Sequence, residues 1–413
     1  MNLPALKRSR LADDAKPFLP YGRQVIEQDD IDAVCGTLRS DFLTTGPAVG
    51  RFEAALASTV RARHAVVCAN GTAALYMAAH ALNLGPGTKV IVPSITFLAT
   101  ASAPHLNGAE IVFADVDPES GLMRPCDLAE AISRAGGADA VFNVHLNGQC
   151  GEVEEIFAIA QANGMRIVDD ACHALGTQIV AASGTRSPIG ANPFSDLSVF
   201  SFHPVKAIAM GEGGAVTTNN DETAKILMRV RNHGMTRDTQ DFANTEDAFD
   251  ATGQPNPWYY ELVEAGFNWR ANDIQCALGL SQLAKLDRFL ARRRALAAAY
   301  NELLAPYAPR LRPVSRHGNC LPAWHLYAVQ IDFDSFGISR ARFMRRLADE
   351  GIGSQVHYYP VHRQPYYAHR YGVSNLPGAD RYYARALSLP FFASMTQDDV
   401  ERVASTVGNI LDH

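Results

Sequence analysis

Between residues 64 and 170 the chain repeats one unit: a short apolar run, a turn of small or polar residues, then a helix-forming stretch. His64–Cys68 (HAVVC) reads as a strand, Ala69–Thr72 as a turn and Ala73–Leu84 as a helix rich in alanine and leucine. Lys89–Val92 reads as the next strand, with Pro93-Ser94 and Thr96-Phe97 at its carboxyl end and a helix over Leu98–Asn107 behind it. Glu110–Ala114 and Ala140–Val144 add two buried strands. Helix Val153–Asn163 then feeds strand Arg166–Val168, which ends in Asp169-Asp170. Uninterrupted apolar strands joined by helices predict an α/β fold with a mostly parallel sheet and helices on both faces. Ligands in such sheets collect at the carboxyl ends of the strands. Asn70–Thr72, Pro93–Phe97, Asp169–His173 and Ser201–Lys206 all follow strands, so the fold can bring them together.

The flanks differ in character. Residues 1–20 read as a loose tail, 27–40 as an amphipathic helix, 41–47 as a turn-rich stretch and Gly50–Ala62 as a second helix. Asp273–Leu304 reads as one long helical region with Leu278, Leu283, Leu286 and Leu290 at helical spacing and Arg292-Arg293-Arg294 on a solvated side. Beyond it come a strand at Trp324–Ile331, a helix at Ser339–Glu350, a strand near Gly353–Tyr359 and a final helix at Gln397–Leu411. A chain of 413 residues exceeds one simple core, so two domains are expected. The large one spans 1–280, N-terminal segment included, and a smaller α+β domain spans 281–413.

Charge and cysteine usage narrow the partners. The net charge is −6, and the N-terminal basic cluster Lys7-Arg8-Arg10 is weak, which argues against nucleic acid. The seven cysteines are scattered without CxxC spacing, as in a reduced cytoplasmic protein without a disulfide frame or bound metal. No uncharged apolar run is long enough to span a bilayer.

The stretch Ser198–Gly214 (SVFSFHPVKAIAMGEGG) presents one lysine, Lys206, just after a strand. Burial among apolar groups lowers a lysine's pKa and makes it nucleophilic. Taken alone, Lys206 reads better as a surface lysine in a turn after an edge strand. Asn70-Gly71-Thr72 stands at a strand-to-helix turn, where unpaired backbone N–H groups and the helix dipole make an anion site or a plain N-cap. Ser201 offers a second hydroxyl to the same anion. Asp169-Asp170 ends a buried strand, where a carboxylate either meets a cation or caps the next helix. His173, one turn further on, can act on the same ligand face as Asp170. Phe97 reads as core packing or as a platform for an aromatic ring. As a set these groups meet the needs of pyridoxal 5′-phosphate: a phosphate cradle, an acid for a ring nitrogen, a stacking surface and a Schiff-base lysine.

Nearly the whole chain resembles the sugar aminotransferases of the DegT/DnrJ/EryC1/StrS family. The resemblance rests on ANGTAALYMAA, VIVPSITFLATA, VDDACHALGT, SVFSFHPVKAIAMGEGGAVTTN, RVRNHGM, GFNWRANDIQCALGLSQLAKLD and GIGSQVHYYPVHRQPYY. RNHGMTRD, WYYE, WHLY and QVHYYPVHRQPYY are most similar to the family's pseudaminic acid branch. The resemblance implies a pyridoxal phosphate-dependent transferase of fold type I, like aspartate aminotransferase. It implies Lys206 as the Schiff-base lysine and proton shuttle, Asp170 at the pyridine nitrogen and His173 at the phenolic oxygen. Gly71, Thr72 and Ser201 would hold the phosphate, Phe97 would stack on the ring, and Asn268 would reach the phosphate from the other subunit of a homodimer. Tyr21, Asp41, Phe42, Leu43, Thr44, Gln355, His357 and Tyr358 would meet the substrate. The implied reaction moves an amino group from L-glutamate to C4 of a UDP-linked 4-keto-6-deoxy-N-acetylhexosamine.

Ala207, Met210 and Trp269 depart from the usual pattern, as does the long Ile179–Ser195 stretch; none removes a catalytic group. The alternatives are amination of another nucleotide-linked keto sugar, at C3 or C4, a sugar 3-dehydratase of the same fold, or a regulatory protein on the scaffold. A lysine rather than a histidine at 206 argues against the dehydratase. The full set of catalytic groups argues against the regulator.

Overall fold

The computed structural model describes residues 17–412. Residues 1–16, with most of the expected tail and its basic cluster, lie outside the described residues. Helix α1 (Gln28–Leu38) starts on a capping box between Glu27 and Asp30. Helix α2 (Pro47–Val60) begins three residues earlier than expected, because Pro47 takes the first helical position, where its missing N–H costs nothing. The buried Asp273 carboxylate caps that start, accepting from the N–H groups of Gly46 at 2.8 Å and Ala48 at 2.9 Å.

The alternating segment folds as β1 (His64–Cys68), α3 (Gly71–Ala81), β2 (Lys89–Pro93), α4 (Leu98–Leu106), β3 (Glu110–Ala114), α5 (Pro125–Ala135), β4 (Ala140–Val144), α6 (Val153–Ala162) and β5 (Arg166–Asp170). The long Ile179–Ser195 stretch contributes a small hairpin, β6 (Gln178–Val180) with β7 (Arg186–Pro188). Then come β8 (Leu197–Ser201), β9 (Gly214–Thr218) and α7 (Asp221–Arg231). The seven-stranded sheet has the order β1-β9-β8-β5-β4-β2-β3. Every neighbouring pair in it is parallel except the two made by β9. The sheet is therefore mostly parallel, as expected.

Strand alternation divides the core between the two faces. Val66, Val92, Phe142, Val168 and Val199 pack with Leu75 of α3, Ala101 of α4 and Leu227 of α7. On the opposite face, Val67 and Phe200 meet Phe52 and Leu56 of α2. Ile91, Val141 and Ile167 meet Leu128 of α5 and Ile156 of α6.

A two-stranded ribbon, β10 (Met235–Thr236) with β11 (Glu261–Leu262), brackets the short helix α8 (Thr245–Ala248). The expected single helix over 273–304 is two: α9 (Asp273–Leu283) and α10 (Leu286–Leu304). Lys285, at the junction, is drawn to the acidic start of α1, 2.7 Å from both Asp29 and Asp30. The arginine triplet is also not a solvated face. Arg293 is 2% exposed and donates to the carbonyls of Trp324 at 3.1 Å and His325 at 3.0 Å. Consecutive helical residues point about 100° apart, so three cannot share one side.

The C-terminal segment adds β12 (Leu311–Pro313), β13 (Cys320–Leu321), β14 (Tyr327–Ile331), α11 (Arg340–Asp349), α12 (Pro365–Tyr371), α13 (Pro377–Arg385), β15 (Ala386–Leu389) and α14 (Gln397–Leu411). Antiparallel β12-β14-β15 packs on α10, α11 and α14 around Tyr300, Tyr327, Phe343 and Val403. The strand expected near Gly353–Tyr359 does not form. Gln355 pairs with Ser388 in an isolated bridge, and Pro360, lacking an N–H, follows. Among the described residues no helix is long and apolar enough to cross a membrane.

Candidate active site

The carboxyl ends of β1, β2, β4, β5 and β8 open on one side of the sheet into a cleft of about 910 Å³. Tyr21, Gly71, Thr72, Phe97, Asp170, His173, Ser201, Lys206, Gln355, His357 and Tyr358 all line it.

At the end of β1, Asn70 caps α3, its Oδ1 accepting from the Ala73 N–H at 2.9 Å. The first-turn N–H groups of Gly71 and Thr72 have no carbonyl within the helix to meet. A Cβ on Gly71 would stand 2.9 Å from Ser201 Cβ, so only glycine lets this turn close against the end of β8. Gly214 meets the same turn from behind, where a Cβ would lie 2.3 Å from the Asn70 carbonyl oxygen. The outcome is a hydroxyl-lined helix N-terminus suited to a phosphate.

The acid pair at the end of β5 splits by strand alternation. Asp170 turns to the cleft; its Oδ2 accepts from the Thr100 hydroxyl at 2.6 Å and its Oδ1 from the Cys172 N–H at 3.2 Å. Asp169 lies 3.0 Å from Nε2 of the buried His145. Burial opposes charge on that imidazole, but the Asp169 carboxylate outweighs it and raises its proton affinity.

Lys206 sits on a pinned loop. Its N–H donates to the His203 carbonyl at 2.8 Å, and the Phe202 and Met210 N–H groups close the loop onto Gly213 and Phe202. Phe202, Ile208 and Met210 anchor it in the core. Burial lowers the Lys206 pKa, and Cys172 and Asp170 only partly oppose this. His173 is buried beside it and held well below the ordinary imidazole range by burial, then by Lys206 and His357. Its Nε2 is 3.1 Å from the Tyr358 hydroxyl, while its Nδ1 is buried without a partner. Phe97, 55% exposed, forms part of the wall, its ring centroid 6.0 Å from that of Tyr358.

Asn268 and Asp41–Thr44 do not line the cleft within one chain. Asn268 is exposed and bridges to Asn232. Asp41–Thr44 is an exposed loop, tied down where the Leu43 carbonyl accepts from the Asp273 N–H at 3.0 Å. The sequence reading placed Thr96 at a strand end without a role of its own and missed Thr100 and His325; all three line the cleft. Thr96 and Thr100 lie four residues apart around the start of α4, and His325 stands in the quoted WHLY; those spacings were the available signals.

The arrangement fits pyridoxal 5′-phosphate: an anion cradle with no room for a Cβ, a buried acid, an unpartnered imidazole nitrogen and an amine of lowered pKa share one cleft. The sequence profile of the DegT/DnrJ/EryC1/StrS aminotransferase family matches residues 24–408. The chain belongs to that family. The aminotransferase is 36% identical over 397 residues to the spore coat polysaccharide biosynthesis protein SpsC of Bacillus subtilis, covering 95% of this chain and 97% of that one. It superposes on PseC of Helicobacter pylori, an aminotransferase involved in the biosynthesis of pseudoaminic acid, with a TM-score of 0.85 and 27% identity. That match covers 96% of this chain and 99% of the other. The sugar aminotransferase Spr1654 of Streptococcus pneumoniae, in a pyridoxal phosphate form, matches with a TM-score of 0.83 and 26% identity over 96% and 99% of the two chains. The cofactor of this aminotransferase is pyridoxal 5′-phosphate, and its fold is that of the type I transferases.

Proposed function

We propose that the aminotransferase moves an amino group from L-glutamate to C4 of UDP-2-acetamido-2,6-dideoxy-β-L-arabino-hexos-4-ulose, working as a cytoplasmic homodimer. The cofactor supplies an electrophilic aldehyde carbon and an electron-withdrawing ring. Lys206 would hold that aldehyde carbon covalently and move the proton at the substrate carbon. Asp170 would pair with the ring nitrogen, and His173, neutral, would meet the phenolic oxygen. Gly71, Thr72 and Ser201 would hold the phosphate, with Asn268 of the second copy, and Phe97 would stack on the ring. Tyr21, Gln355, His357 and Tyr358 orient the sugar, together with the Asp41–Thr44 loop. Residues 1–280 serve as the cofactor domain and 281–413 as the smaller domain.

One observation carries the sugar: no arginine lines the cleft among the described residues, and its only lysine is Lys206. Apart from Lys206, Asp170 and Glu212, the wall consists of hydrogen-bonding and aromatic groups, which suits a hydroxylated sugar ring. PseC of Helicobacter pylori supports the particular sugar. A second reading, another nucleotide-linked keto sugar aminated at C4 or C3, is favoured by the 36% identity to SpsC. Incubation with L-glutamate and a panel of UDP-4-keto sugars, with the aminated carbon assigned by NMR, separates the two. The first reading predicts a C4 amine from the β-L-arabino sugar. Amination of other members with none of that one rejects it.

A further inference from the structure

Two hydroxyls form a directed chain onto Asp170. Thr100 Oγ1 lies 2.6 Å from Asp170 Oδ2, and Thr96 Oγ1 lies 2.7 Å from Thr100 Oγ1. Both threonines are buried, at 0% and 1% exposed for Thr100 and Thr96. The direction follows from counting protons. An ionised carboxylate only accepts, so Thr100 gives its single proton to Asp170, and Thr96 must then donate to the Thr100 oxygen. The other carboxylate oxygen is held by the Cys172 N–H. The carboxylate plane is thus fixed from two sides, by Thr100 in the first turn of α4 and by Cys172 in the turn that follows β5.

We propose that Thr100, backed by Thr96, is a positioning residue for amino transfer, holding the Asp170 carboxylate oriented toward the cofactor ring nitrogen. This rests on the reading of Asp170 given above. A donor to an ionised carboxylate favours it over the neutral acid, and such charge-assisted bonds are the strong ones. With that donor in place, a proton shared between the carboxylate and the ring nitrogen would stay on the nitrogen. Thr96 strengthens the effect by polarising the Thr100 hydroxyl.

The test loads wild type, Thr100→Val, Thr100→Ser, Thr96→Val and Asp170→Asn with pyridoxal phosphate labelled with ¹⁵N in the ring, and records the ¹⁵N shift against pH, cofactor affinity, melting temperature and kinetics. Thr100→Ser should match wild type. Thr100→Val should move the shift toward the unprotonated value and lower kcat roughly 10-fold with KM little changed, and Thr96→Val should do the same to a smaller degree. A Thr100→Val protein with a wild-type shift and kcat, beside an Asp170→Asn protein that loses both, overturns the threonine chain alone. This holds even if its melting temperature falls. An unchanged shift in Asp170→Asn overturns the reading of Asp170, and the chain with it.

Discussion

The imidazoles of His173 and His325 lie 4.2 Å apart between ring centroids, tilted by 42°. Neither can take a charge cheaply: burial is compounded by Lys206 and His357 at His173, and by His173 and Lys206 at His325. Burial first, and Lys206 after it, thus keep His173 an uncharged hydrogen-bonding partner.

Stability should fall as pH drops below neutrality. His173 and His325 are held well below the ordinary imidazole range, and burial pushes His357 down to about 3. The unfolded chain takes up protons near pH ~6.5 while these folded groups do not, so their stabilisation is full above that pH. It is lost progressively toward about pH 3, the folded value of His357. Each contributes up to ~1.4 kcal/mol per pH unit. His145, raised by Asp169, works in the opposite direction and offsets only part of this. Thermal melts at pH 7.5 and 5.5 should show a lower midpoint at 5.5; equal midpoints would count against neutral buried histidines.

Arg293→Ala should destabilise the protein by roughly 3 kcal/mol, because it strands the Trp324 and His325 carbonyls and opens a cavity. Urea denaturation reads the loss directly. A loss under about 0.5 kcal/mol would mean that the guanidinium holds nothing in place.

Gly214→Ala should weaken cofactor binding, since its Cβ would meet the Asn70 carbonyl oxygen at 2.3 Å and push the phosphate turn outward. The apparent cofactor affinity of the apoprotein, titrated by fluorescence, should drop about 10-fold or more. Unchanged affinity would show that the turn tolerates the shift.

Much of this was legible in residues 64–206, where apolar runs and turn chemistry repeat locally. Strand ends and helix starts there placed Gly71, Asp170, Ser201 and Lys206 within a residue or two, and the structure gathers them in one cleft. What escaped depends on contacts distant in sequence. Arg293 is buried by carbonyls over thirty residues away, and the 353–359 segment lost its expected strand because only Gln355 finds a partner on β15. Thr100 looked like an ordinary helical residue until β5 brought Asp170 beside it. The reversed strand β9, opening on glycine, gave little periodic signal.

The identity of the covalent lysine bears most directly on the account. Loading the protein with pyridoxal phosphate, reducing it with borohydride and mapping its peptides by mass spectrometry should place the pyridoxyl phosphate mass on Lys206, with Lys206→Ala unlabelled. Label on another lysine, or none in the wild type, would contradict it.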